Sequence, residues 1–185
     1  MLEKLKQYSQ RVEVALKAVD SSTLQKAYNL IDISFQNGNT LFIIGNGGSA
    51  ATASHFATDM AKSITSSGKK GCATSLCDNS SMLTAISNDY SFEFVFQKQL
   101  EMQAKSGDVL LSISASGNSK NLVQAVAYAN QNYISTISMT GFDGGKLNTV
   151  SDFSIHVPTA LGDYGVAEDC HSILCHFFSE QFGKK

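Results

Sequence analysis

Apolar residues recur along this chain with two different periods, and the change from one to the other predicts its architecture. Leu2, Leu5, Val12, Leu16 and Val19 fall on a helical stripe. A second helix is expected to start at the Ser21-Ser22-Thr23 capping cluster and to run towards Phe35, before Asn37-Gly38-Asn39 breaks the chain. From residue 40 the pattern changes. Thr40-Leu41-Phe42-Ile43-Ile44 is a short continuous apolar run of the kind buried on both faces in parallel sheets. Further strands are expected at Cys72–Leu76, Asp108–Ile113, Tyr133–Met139 and Asp152–Val157. Helices are predicted over about 50–65, over 80–104 with a break at Asn88-Asp89, and over 119–131. A less regular connection spans Gly141–Val150, and a last helix covers about 165–182.

Strands alternating with helices imply a parallel sheet with right-handed crossovers and helices on both faces. The expectation is an α/β fold in one domain, 1–185, with N-terminal helices over 1–37 and a doubly wound, five-stranded parallel core over 38–185. Five strands suit the flavodoxin-like order, whose switch point lies between the first and third strands.

Composition narrows the function classes. The chain has 185 residues, enough for a two-sided sheet core, and 43% hydrophobic against 16% charged residues exclude a disordered chain. Net charge is −2 and Arg11 is the only arginine, so the basic stripe of a nucleic-acid binder is missing. Any phosphate must be held largely without guanidinium groups. No segment has the run of apolar residues that crosses a membrane, and the first six residues alternate charge with apolar groups, unlike a signal peptide. Cys72, Cys77, Cys170 and Cys175 form no Cys-x-x-Cys pair, so reduced thiols in the cytoplasm are expected.

The candidate chemistry starts at two loops. The first strand ends in Gly45-Asn46-Gly47-Gly48-Ser49-Ala50 and the third in Ser114-Ala115-Ser116-Gly117-Asn118-Ser119, each followed by a helix. Both should open at the carboxyl end of the sheet, on opposite sides of the switch point, where open α/β sheets bind ligands. Glycines let backbone N–H groups approach an anion, and helix N-termini supply free donors and a positive dipole end. The hydroxyls of Ser49, Ser114, Ser116 and Ser119 can add donors. Gly, Asn and Ser are also ordinary turn and cap residues, so either loop alone reads equally well as structural. Neither loop has the P-loop spacing, and the first lacks the third glycine of a dinucleotide fingerprint.

A second group of residues lies on two helical segments. His55 and Asp59 are one turn apart, and the last helix carries Glu168, Asp169, His171 and His176, while His156 lies on a predicted strand. Imidazoles with carboxylates suit zinc, although a lone His–Asp pair at this spacing is more often a surface or capping interaction. Cys170 and Cys175 are expected to be buried thiols, and Phe92, Phe94, Val95 and Phe96 to pack a core or a subunit interface. Asp163-Tyr164-Gly165 reads equally as a substrate contact or as plain loop.

The two loops, together with Ser87-Asn88-Asp89-Tyr90 and Gly141-Phe142-Asp143-Gly144-Gly145-Lys146, resemble the sugar isomerase (SIS) fold over nearly the whole chain. Within it the match is to bacterial phosphoheptose isomerases, which convert sedoheptulose 7-phosphate to a heptose 7-phosphate aldose. The resemblance implies a homotetramer with a zinc-containing site at the subunit interface. It implies substrate contacts at Asn46, Gly47, Gly48, Asn88, Asp89 and Glu168, and a phosphate held by Ser114, Ser116 and Ser119, with Ala115 between them and Ser49 at the border. Metal ligands would be His55, Asp59, Glu168 and His176, with proton transfer at Asp59 and His176. Three positions depart from the family pattern: Asp59 stands for a glutamate, Glu168 for a glutamine and Ala115 for a threonine. The shorter Asp59 could misplace a base, and Glu168 offers a carboxylate that could replace it. Two alternatives follow from the same resemblance: a non-catalytic tetramer that binds the replication initiator, and an enzyme or sensor for another phosphosugar.

Overall fold

The computed structural model describes residues 1–183, so the last two residues of the expected domain lie outside the described residues. Two helices come first, α1 (Leu2–Lys17) and α2 (Ser21–Gln36). Asp20, rather than the serine cluster after it, caps α2: its carboxylate accepts hydrogen bonds from the backbone N–H groups of Ser22 and Thr23. Strands and helices then alternate as β1 (Thr40–Gly45), α3 (Gly48–Ser67), β2 (Cys72–Ser75), α4 (Ser80–Asp89), α5 (Val95–Gln103) and β3 (Val109–Ser114). They continue as α6 (Lys120–Gln131), β4 (Ser135–Thr140), α7 (Leu147–Val150), β5 (Phe153–His156) and α8 (Tyr164–Gly183). The break expected at Asn88-Asp89 falls just after them, where a 3-10 turn over Phe92–Phe94 separates α4 from α5. The irregular connection after β4 contains the one-turn helix α7.

The sheet order is β2-β1-β3-β4-β5 with every pair parallel, so the switch point lies between β1 and β3. Strand side chains alternate between two cores. Leu41, Ile43, Leu111 and Met139 enter a core shared with α1, α2, α3 and α8, while Phe42, Ile44 and Leu110 enter one shared with α4, α5 and α6. The continuous apolar run of β1 is therefore needed: both of its faces are covered. Val95 and Phe96 lie in the second core with Phe94 against it, whereas Phe92 is exposed.

The amino-terminal end of the strands, opposite the site, is pinned by two aspartates. Asp108 accepts from the backbone N–H groups of Thr40 and Lys105, both at 2.9 Å, and Asp152 accepts from that of Thr136 at 2.8 Å. Both were expected to open strands; instead they sit one residue before β3 and β5 and satisfy strand-end donors.

Candidate active site

Gly45 of β1 pairs beside Ile113 of β3, so the two glycine- and serine-rich loops leave the sheet side by side. Together they enclose a cavity of about 200 Å³. Asn46 and Ser49 line it from the first loop, Ser114, Ala115, Ser116 and Ser119 from the second, and Tyr164 and Glu168 from the start of α8. Two strand-to-helix handovers thus share one space.

Local packing explains the glycines. A Cβ on Gly45 would stand 2.5 Å from the carbonyl oxygen of Ser49, so the strand can turn into α3 this tightly only without a side chain. Gly117 has φ +63°, and a Cβ there would meet the carbonyl oxygen of Gly144 at 2.0 Å. A Cβ on Gly145 would meet that of Ser116 at 2.3 Å. The loop after β4 is therefore pressed backbone to backbone against the serine loop. Hydrogen bonds complete the joint: Leu147 N–H donates to the Gly117 carbonyl at 2.9 Å and Lys146 N–H to Asn118 Oδ1 at 3.0 Å.

Within the serine loop, Ser114 Oγ accepts from Gly117 N–H at 3.0 Å and Ser116 Oγ from Asn118 N–H at 3.3 Å. Each hydroxyl keeps its own proton to donate. Ser119 stands at the N-cap of α6 but makes no side-chain capping bond, so its hydroxyl is not committed to its own helix. Ala115 lines the cavity and packs with Phe142 and Ala167.

Helices α3 and α8 run side by side in the same direction. Their first turns meet where Gly48 faces the Glu168 carboxylate; a Cβ on Gly48 would stand 2.9 Å from Glu168 Oε2. Further along, Ser63 Oγ donates to the Ser179 carbonyl at 2.8 Å. Gly48, His55 and Asp59 recur at helical spacing on one stripe of α3, so the seam leads from the cavity to a cluster two turns on. There His55 Nε2 is 3.2 Å and His176 Nε2 4.0 Å from Asp59 Oδ2, with the two imidazole rings edge to face at 5.1 Å. One ligating atom from each of the three lies within 4.8 Å of the others. Two imidazole nitrogens and a carboxylate converging in this way fit a divalent transition metal with a coordination position left open. The side chains of His55 and His176 are 58% and 57% exposed, so the open side faces away from the core.

Of the expected site residues, the cavity therefore gathers Asn46, Ser49, Ser114, Ala115, Ser116, Ser119 and Glu168. The metal-type cluster gathers His55, Asp59 and His176, and Glu168 lies about 12 Å up α8 from His176. Gly47 caps α3 with φ +53° and Gly48 opens it against Glu168; neither is among the residues that line the cavity. Asn88 and Asp89 are brought to neither place: they are exposed at the end of α4, where Asn88 Nδ2 donates to Asp89 Oδ1. His171 turns inward and is fully buried, and Cys170 and Cys175 are buried thiols outside the cluster. One wall residue was left open in the sequence and one supporting residue was missed. Tyr164, left open between loop and substrate contact, forms part of the cavity wall and packs edge to face on Phe142. Asn121 was not singled out; it pairs with Asn46, and its only sequence signal is a polar residue on the inner face of α6.

Residues 6–141 match the SIS domain family. The chain belongs to the SIS domain family. The probable phosphoheptose isomerase of Thermoplasma acidophilum is 37% identical over 155 residues, 84% of this chain and 84% of that protein. The phosphoheptose isomerase of Aliarcobacter butzleri is 37% identical over 174 residues, covering 93% of this chain and 91% of its own length. Among solved structures, the phosphoheptose isomerase from Neisseria gonorrhoeae superposes with a TM-score of 0.88 at 32% identity, covering 98% of this chain and 95% of that one. This SIS chain is thus similar along nearly its full length to phosphoheptose isomerases, α8 with Glu168 and His176 included. Among the described residues no helix is long and apolar enough to cross a membrane.

Proposed function

We propose that this chain interconverts a ketose and an aldose phosphate, sedoheptulose 7-phosphate and a heptose 7-phosphate, through an enediolate. The observation that carries the reading is the single cavity at the β1 and β3 handovers, with serine hydroxyls on one wall and Glu168 on another. Similarity to proteins named phosphoheptose isomerase, 37% identical across 93% of this chain, supports the choice of sugar. The reading takes residues 1–185 as one domain, since α1 and α2 contribute Ala15, Ala27, Ile31 and Phe35 to the same core as the sheet.

In this reading the phosphate is held by Ser114, Ser116 and Ser119, with Ser49 at the border and the unpaired N–H groups at the start of α6 beneath it. Asn46 meets the sugar, and Gly47 and Gly48 leave the backbone open to it. Asn88 and Asp89 enter only as residues that the family resemblance implies. A seven-carbon substrate carries its phosphate at one end and its carbonyl near the other, so it needs two grips. The seam from Gly48 to His55 extends about 10 Å along α3, from the anion cradle to the metal-type cluster.

Isomerisation moves one proton between adjacent carbons. A carboxylate takes it from the carbon beside the ketose carbonyl, and the electron pair becomes the enediolate double bond. Return of that proton to the former carbonyl carbon, with the hydroxyl proton passing to the other oxygen, yields the aldose. Glu168 is assigned as this base because its carboxylate stands against Gly48, where the serine-lined cavity meets the seam that leads to the metal-type cluster. His55, Asp59 and His176 would hold a divalent ion, zinc by donor set, which when bound supplies positive charge for the developing oxyanion. A cytoplasmic homotetramer belongs to the same reading; exposed Ile173 and Phe177 flank His176 on α8 as apolar surface for a neighbouring chain.

The direct test is incubation of purified protein with sedoheptulose 7-phosphate, with and without added zinc, following aldose formation. Turnover is expected. Its absence under both conditions would rule out the isomerase reading.

A further inference from the structure

Asn121 lies in the first turn of α6 and is only 3% exposed, although its side chain is a primary amide. A buried amide without partners would be costly, so its hydrogen bonds define its role. Asn46 Nδ2 donates to Asn121 Oδ1 at 2.9 Å, and Asn121 Nδ2 donates back to Asn46 Oδ1 at 2.9 Å. This closed amide pair spans the gap between the β1 loop and the β3 loop, which is the switch point itself.

The pair alone does not fix which way the amides point, because reversing both of them restores the same two bonds. A third contact breaks that symmetry: Leu122 N–H, shared with the Ser119 carbonyl at 3.1 Å, donates to Asn121 Oδ1 at 3.0 Å. With Oδ1 held on the backbone donor, Asn46 must present Nδ2 to Asn121 Oδ1 and Oδ1 to Asn121 Nδ2. Reversing Asn46 alone would set N–H against N–H and oxygen against oxygen. Each amide has two N–H groups and two acceptor sites on its oxygen, so Asn46 keeps one N–H and one oxygen lone pair for the cavity it lines.

The geometry points to Asn121 as a positioning residue that sets, through Asn46, which polar atoms meet the sugar. The inference rests on the phosphosugar reading above and adds a residue that does not itself wall the cavity. The serine loop has its own supports, the Ser114–Gly117, Lys146–Asn118 and Leu147–Gly117 bonds, so phosphate binding does not depend on this amide pair.

The test is a double-mutant cycle of Asn46→Leu and Asn121→Leu, with steady-state kinetics on sedoheptulose 7-phosphate and competitive inhibition by inorganic phosphate. Asn121→Leu is expected to lower kcat/KM roughly ten- to a hundredfold, the range for leaving one buried partner unsatisfied. The inhibition constant of inorganic phosphate should move less than about twofold, because the anion cradle is untouched. The double variant should be no worse than Asn46→Leu alone, since both changes remove one device. Additive losses, or an equal weakening of inorganic phosphate, would mean that Asn121 merely props the loop and would overturn the inference. So would wild-type-like kcat/KM in Asn121→Leu. If circular dichroism finds Asn121→Leu unfolded, Asn121→Ser takes its place in the same cycle. If the wild-type chain does not turn over, the isomerase reading fails, and the cycle is read instead from ligand-induced thermal shifts with sedoheptulose 7-phosphate and ribose 5-phosphate. Unchanged sugar-phosphate shifts in the variants, or none in the wild type, then overturn the inference.

Discussion

The isomerase reading offers two carboxylates for the proton at the reacting carbon, and they sit in different surroundings. Glu168 is half-buried on the cavity wall, whereas Asp59 lies on the seam beside two imidazoles and Lys62. Glu168→Gln keeps the shape and the hydrogen-bonding oxygen but removes the base, so kcat should fall by about 10²–10⁴ with KM little changed. Asp59→Asn should instead weaken metal binding, read as lost zinc in the purified protein. Retained kcat in Glu168→Gln would move the base to Asp59. Ser116→Ala should act differently from both, raising KM with kcat nearly intact, because a phosphate is gripped equally in ground and transition states. The serines and carboxylates could be read from sequence as residue types in loops and on helices. The partnership of Asn46 with Asn121 could not, since 75 residues separate them and neither amide is unusual where it stands.

At the scale of elements, the serine loop keeps its shape through the loop after β4. Gly117→Ala should strain a backbone at φ +63° and drive a methyl into the Gly144 carbonyl, at a cost on the order of 1–3 kcal/mol for the strained conformation alone. The expected outcome is a lower melting temperature together with a raised KM, whereas an alanine at Gly47, strained at φ +53° but with its Cβ position open, should lower the melting temperature by the backbone strain alone. Strand and helix spans were legible because β1 holds a continuous apolar run, β3 is apolar but for Ser112 and Ser114, and the connecting segments carry helical stripes. Their ends were less so. Asp20 took the cap of α2 from Ser21-Ser22-Thr23 because a carboxylate accepts two backbone donors at once. A one-turn helix such as α7 is too short to show a period.

For the molecule as a whole, His171 links the active-site helix to the core. It is fully buried on α8, makes no hydrogen bond of normal geometry, and burial pushes its pKa from 6.5 down to about 4, against the pull of the Thr140 backbone. Nearby His156 also has a lowered pKa through burial, partly offset by Asp143. Because the unfolded chain takes up the proton first, stability is full above about pH 6.5 and is lost as pH falls from there to about 4. The loss should reach on the order of 3 kcal/mol, and a shallower urea-midpoint profile over that window in His171→Leu would check it. The sequence by itself determined the α/β alternation and the two anion-suited loops, because burial on both faces and helix-start chemistry are written in local residue types, whereas five strands only suited the order β2-β1-β3-β4-β5 that the sheet adopts. Only the tertiary structure decided that Glu168 joins the serine-lined cavity while His55, Asp59 and His176 gather two turns away. It also turned His171 inward and left Asn88 and Asp89 outside the cavity. The reason is physical: which face of one helix meets which face of another depends on how α3 and α8 pack side by side over the sheet, and that register is not encoded in the period of either helix.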